Sequence, residues 1–157
     1  MKKSILSKSD LSFLNLRGLD EIVASNTYRY SAACFQRKSL FGFEAFFRKE
    51  SKDELKHRTI LENFANDMGA ELEMPAIPAV EFKSDEPMAI LNHLYQMELD
   101  LLAEYESGME SADRGALKSL CKDMVDIQIE GVGAISDLIA ELESVGVGFV
   151  NQRLLQA

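Results

Sequence analysis

"KESKDELKHR", residues 49–58, is almost wholly polar, yet it lies inside a long segment with helical apolar spacing. The flanking stretches "LFGFEAFFR" and "TILENFANDM" contribute Phe47 and Leu61, each seven residues from Glu54. On a helix, residues three, four or seven apart share a face, so Phe47, Glu54, His57 and Leu61 line one stripe. A carboxylate and an imidazole therefore occupy the positions where such a helix would bury leucines.

The same interruption recurs on either side of this segment. Leu14, Ala24 and Tyr28 share a face with Glu21. Leu91, Leu94, Leu101, Leu102 and Tyr105 stand three, four or seven residues from Glu98. Cys121, Met124, Val125, Val132 and Ile135 surround Gln128. Four long helices are predicted, at about 9–37, 40–68, 84–111 and 113–145, with Gly69 and Gly146 as helix stops. Ser84 followed by Asp85, Glu86 and Pro87 is a helix-start pattern. "AELEMPAIPAVEFK" has two prolines and no helical period, so it reads as a long connection. The tail "VGFVNQRLLQA" suits a short fifth helix.

Short connections between the first and second helices, and between the third and fourth, make antiparallel hairpins. The long connection can traverse a bundle and leave the second and third helices parallel. The expected fold is all-α: a four-helix bundle with a long crossover and a short C-terminal helix. Residues 1–157 form a single domain, because 157 residues give one good core and no second domain is visible. Three prolines, nine glycines and 46% hydrophobic residues fit a helical globular protein.

A net charge of −9 argues against binding nucleic acid through a basic face. No stretch approaches the length of about eighteen apolar residues expected of a membrane span, so no membrane partner is expected. The start, "MKKSILSKSDLSFLN", has lysines but no long apolar run and no cleavage site. Cys34 and Cys121 form no CxxC motif and sit in helical stretches, which reads as reduced packing cysteines and a cytoplasmic location.

Glu21, Glu54, His57, Glu98 and Gln128 thus stand at mid-length on the inward faces of four helices. Burying three carboxylates together is strongly unfavourable without compensation. Arg17 and Arg58 lie nearby, but two side chains do not easily serve all three. Taken alone, Glu54 and His57 are ordinary residues of a solvated helix face. With the other three at matched depth, two divalent cations become the better solution, their four positive charges meeting three carboxylates. Carboxylate and imidazole ligands suit iron, manganese or zinc. Glu-x-x-His in a bundle would bind one ion through both side chains, with Glu54 bridging to the second. His93 has no companion and reads as surface.

These residues resemble the ferritin family. "LDEIVASNTYRYSAACF" looks like its first helix, with the metal-binding Glu at Glu21 and the nearby Tyr at Tyr28. "LFGFEAFFRKESKDELKH" looks like the second, "LYQMELDLLAEYES" the third, and "DMVDIQIEGVGAISDLIAELESVG" the fourth. The resemblance covers about residues 10–155 and includes the crossover. It implies a non-haem ferritin: an iron store and ferroxidase, built as a homo-oligomeric shell of twenty-four subunits. Iron(II) would be oxidised by dioxygen or peroxide at a di-iron centre and pass to a mineral core. Glu21, Glu54 and His57 would hold the first iron, and Glu54 and Glu98 the second. Gln128 would lie close by and order a water or oxygen species, with Tyr28 as redox or hydrogen-bonding neighbour.

The sequence also departs from the family. Leu55 stands where bacterioferritins place their haem-ligating Met, so no haem is expected. Gln128 and Gly131 replace a Glu-x-x-His, and many bacterial ferritins have a further Glu where this chain has Gly131. Asp53 and Glu130 are the remaining carboxylates for a third metal position. Lys56 and Thr59 stand where the family often has nucleating carboxylates. "RGALKSLCKDM" lacks the acidic channel pattern of animal ferritins. A shell-forming structural subunit with little or no ferroxidase activity is the alternative. A twelve-subunit, DNA-protecting relative is disfavoured, because those relatives place the site between subunits and no basic tail is present. A manganese or oxygenase-type centre has no separate support.

Overall fold

The computed structural model describes residues 3–157, so the first two residues of the lysine-bearing start lie outside it. Five helices follow in order: α1 (Lys8–Arg37), α2 (Phe41–Asp67), α3 (Pro87–Ser111), α4 (Gly115–Val145) and α5 (Val147–Leu155). Among the described residues there is no strand. The third and fourth helices begin slightly later than expected. Ser84 accepts a bond from the Glu86 amide at 3.2 Å, and Glu86 rather than Ser84 takes the cap position before Pro87.

The core has two apolar clusters. One gathers Tyr28, Phe35, Phe43, Phe47, Leu91, Leu94, Ile135 and Leu138 with α5 residues Val150 and Leu154. The other gathers Leu14, Leu61, Ala65, Leu101, Tyr105, Leu117, Cys121 and Met124. Chain direction follows from these memberships. α1 runs from the second cluster (Leu14) to the first (Tyr28), and α2 returns from Phe47 to Leu61. α3 runs from Leu91 to Leu101, parallel to α2, and α4 returns from Leu117 to Leu138. The connection 68–86 must therefore cross the length of the bundle, and it carries Leu72 in the second cluster and Phe82 against the first.

Several long-range bonds lock this arrangement. Ser7 caps α1 through the Asp10 amide at 3.1 Å. Buried Asp10 accepts from the amides of Asp113 and Arg114, at 2.9 Å each, and so fixes the α3–α4 turn. α2 has no side-chain cap of its own, and Asn151 of α5 supplies one by accepting from the Gly42 amide at 2.7 Å. A Cβ at Gly42 would collide with the Asn151 backbone carbonyl, so glycine is needed for this close approach. Gly69 ends α2 at φ +75°, and Ala70 donates back to the Ala65 carbonyl at 2.8 Å. Buried Ser25 and Ser51 exchange bonds with each other's backbone carbonyls at 2.7 and 2.8 Å, drawing α1 and α2 together just beside the polar layer.

Candidate metal centre

Between the two apolar clusters lies one polar layer. Each long helix contributes to it at the residue midway between its two cluster members: Glu21 between Leu14 and Tyr28, Glu54 between Phe47 and Leu61. Glu98 lies between Leu91 and Tyr105, and Gln128 between Cys121 and Ile135. All four are buried, with exposures of 0%, 3%, 2% and 1% respectively. A seven-residue step on a helix spans about 10 Å, so the layer sits one side-chain length from apolar packing in both directions.

The donors converge. His57 Nδ1 lies 3.0 Å from Glu54 Oε2 and 3.5 Å from Glu21 Oε2. One ligand atom from each of Glu21, Glu54 and His57 can be chosen so that all lie within 4.8 Å of one another. Tyr28 Oη donates to Glu98, and Gln128 Nε2 donates to both the Glu98 carboxylate and, at 3.1 Å, its backbone carbonyl. Tyr105 Oη donates to Glu21 Oε1 at 2.6 Å. Glu21 Oε2 is buried and has no hydrogen-bond partner.

No arginine or lysine among the described residues pairs with Glu21, Glu54 or Glu98. Arg17 is engaged by Asp20 at 2.8 Å and Glu104 at 2.9 Å. Arg58 bonds Glu62 and the Glu73 carbonyl, at 2.8 Å each. The neutralising partners that a purely structural role would require are thus committed elsewhere. Burial raises Glu54 well above the ordinary carboxyl range, and the charges of Glu21 and Glu98 add to it against the opposing His57 bond. Burial also raises Glu98, against the opposing bond from Tyr28. At His57 burial favours the neutral ring, but the Glu54 and Glu21 carboxylates, 3.0 and 3.5 Å from Nδ1, outweigh it and push the pKa to about 10. A buried set of carboxylates, two of which burial biases against the charged form, with one oxygen left without a hydrogen-bond partner, is a chemically fitting seat for cations.

Residues 12–145 match the ferritin-like domain. The chain belongs to the ferritin family. It is 35% identical over 82 residues to the bacterial non-heme ferritin of Staphylococcus aureus strain USA300, and equally to that of strain N315. That match covers 51% of this chain and 49% of the relatives, so it spans about half the length of those curated proteins. An open-pore ferritin from the hyperthermophilic archaeon Archaeoglobus fulgidus superposes with a TM-score of 0.90 at 22% identity, over 94% of this chain and 95% of that one. A humanized archaeal ferritin does so with a TM-score of 0.89 at 21% identity, over 95% and 96%. At such identities the structures speak for the fold: the ferritin four-helix bundle with its short fifth helix.

In this ferritin-family chain the remaining sequence candidates lie to one side of the layer. Asp53 and Glu130 line a cleft together with Glu50, Glu54, His57, Glu98 and Gln128. Asp53 is half-buried, which alone would raise its pKa, but Lys49 and Lys56, each 2.8 Å away, hold the carboxyl below its ordinary value. Glu130 is exposed. His93 is exposed and packs edge-on to Phe82 with ring centroids 4.9 Å apart. Cys34 and Cys121 are buried and free, and burial pushes the Cys121 thiol up to about 11.

Sequence reasoning passed over three features. Glu50, one turn before Glu54, faces the same cleft, and burial raises its carboxyl; its four-residue spacing was the available signal. By periodicity Tyr105 is one more apolar-stripe residue, although it stands seven residues after Glu98 just as Tyr28 stands seven after Glu21. In the sequence Gly131 stands only as an absent ligand. A Cβ there would come 2.9 Å from Glu98 Oε2, so the bare backbone makes room for the carboxylate.

Proposed function

We infer that this protein is an iron-storing ferritin subunit with ferroxidase activity. The observation that carries this reading is the layer of three buried carboxylates and a half-buried imidazole, with no arginine or lysine among the described residues pairing with the carboxylates. Iron(II) is the substrate. Glu21, Glu54 and His57 would take one ion; Glu54 and Glu98 would take the second, with Glu54 bridging. Each iron(II) gives up one electron, and dioxygen accepts both with two protons from water, leaving as peroxide. Peroxide can serve as oxidant in its turn. Gln128, already donating to Glu98, holds that carboxylate and can order a water or oxygen species beside it. Tyr28 stays a protonated donor to Glu98, because burial and the charges of Glu98 and Glu54 raise it well above its ordinary value. Iron(III) then passes into the cavity of a homo-oligomeric shell of twenty-four subunits in the cytoplasm. Asp53 and Glu130, beside the centre, are proposed to hold iron on its way out. No haem is part of the proposal.

Adding iron(II) in air should give rapid oxidation of about two irons per subunit, followed by slower mineral growth. Glu54→Ala should abolish the fast phase while the particle mass stays that of the assembled shell. A fast phase that survives this change rejects the site. A second reading has its own support in the lysines that clamp Asp53: a shell subunit that contains mineral but oxidises iron poorly. That reading predicts full assembly with no fast phase in the unaltered protein.

A further inference from the structure

Tyr28 and Tyr105 are placed reciprocally. On α1, Tyr28 follows Glu21 by seven residues; on α3, Tyr105 follows Glu98 by seven. Each tyrosine donates to the carboxylate of the other helix: Tyr28 to Glu98, and Tyr105 to Glu21 Oε1 at 2.6 Å. α1 and α3 run antiparallel, so Tyr28 approaches the polar layer from the first apolar cluster and Tyr105 from the second. Tyr105 is 1% exposed and Tyr28 0%.

The consequence for Glu21 is specific. Its Oε1 is taken by Tyr105, while Oε2 is buried, unpartnered and turned toward His57 Nδ1. One oxygen is anchored, and the other is aimed at the space between Glu54 and His57. We propose that Tyr105 is a positioning residue for the first metal site, orienting Glu21 so that it offers one oxygen, as Tyr28 does for Glu98 at the second. The inference rests on the two-metal reading given above. Hydrogen bonds to ionised groups are among the stronger ones in proteins, and loss of such an outer partner commonly weakens metal binding by about tenfold or more.

Cobalt(II), which does not turn over, separates the two sites under anaerobic titration followed by visible absorption. Glu98→Ala should leave only the first site and His57→Ala only the second. Tyr105→Phe, which removes one oxygen from a ring of unchanged shape, should weaken cobalt binding about tenfold in the Glu98→Ala protein and less than twofold in the His57→Ala protein. Tyr28→Phe should weaken binding in the His57→Ala protein and spare the Glu98→Ala one. A merely structural tyrosine would weaken both backgrounds alike or neither, and either result overturns the proposal. A second arm needs no change at Tyr105: in Tyr28→Phe protein the first equivalent of cobalt should shift the near-ultraviolet tyrosine absorption, and no shift overturns the proposal. If the unaltered protein binds no cobalt, the two-metal reading itself falls. If it binds two and Tyr105→Phe changes nothing, only the role of Tyr105 falls.

Discussion

At the scale of single residues, space and charge at the polar layer are set by what is missing as much as by what is present. Gly131 leaves the gap that Glu98 fills, with Oε2 and Cδ at 2.9 and 3.3 Å from where a Cβ would stand. Gly131→Ala should act oppositely on two measurements. The helix interior gains about 1 kcal/mol of intrinsic propensity, so thermal unfolding should move up or stay level. The displaced Glu98 should weaken binding of the second cobalt(II) or iron(II) equivalent by about tenfold in anaerobic titration. A variant with lower stability and unchanged second-site affinity would contradict this account of the glycine. The residues of the layer were legible in the sequence, because Glu21, Glu54, His57, Glu98 and Gln128 each break an apolar stripe. Glu21's bond to Tyr105 was not, since a tyrosine on such a stripe is indistinguishable from core until its hydroxyl finds a partner 84 residues away in the chain.

At the scale of elements, helix ends carry information that helix interiors do not. α2 begins at Phe41 with Leu40 in the cap position, a residue that caps poorly. The missing acceptor comes from Asn151, whose Oδ1 lies 2.7 Å from the Gly42 amide and 3.4 Å from the Phe43 amide. Asn151→Ala should therefore cost about 1–2 kcal/mol in chemical denaturation. Truncation before Val147, which removes Asn151 together with the rest of α5, should cost at least as much. A truncated chain as stable as the full one would contradict the cap. The periodicity located the four long helices to within a few residues, and glycine marked the ends at Gly69 and Gly146, both at positive φ. What it did not show was that a short C-terminal helix caps the second, because that bond spans 109 positions.

At the scale of the whole molecule, stability and cation binding are two readings of one buried charge set. His57 is raised from 6.5 to about 10 in the folded, metal-free protein, so its contribution is fully present below about pH 6.5 and is lost as pH rises through about 10. Glu54 and Glu98 are also raised, so they act in the same direction and begin to do so at lower pH. The melting temperature of the metal-free protein should accordingly fall as pH rises across 6.5 to 10. Saturating cobalt(II) or zinc(II) should raise it by an amount that grows with pH, because each ion replaces protons that high pH has already begun to remove. A flat profile for the metal-free protein, or a cation effect that shrinks with pH, would contradict the raised titration of His57, Glu54 and Glu98. The parallel course of α2 and α3 also belongs to this scale. It was inferred from the length of the proline-bearing connection, and it places Glu54 and Glu98 at one depth.

What the sequence determined alone was depth: a seven-residue step on a helix is a fixed distance, so a polar residue midway between two apolar ones is committed to one layer wherever the helix packs. Tertiary structure alone decided which atoms face each other across that layer. The aim of Glu21 Oε2, the room Gly131 leaves for Glu98, and the diversion of Arg17 and Arg58 to other partners depend on side-chain rotamers and on contacts between distant segments. Helical period carries no record of those.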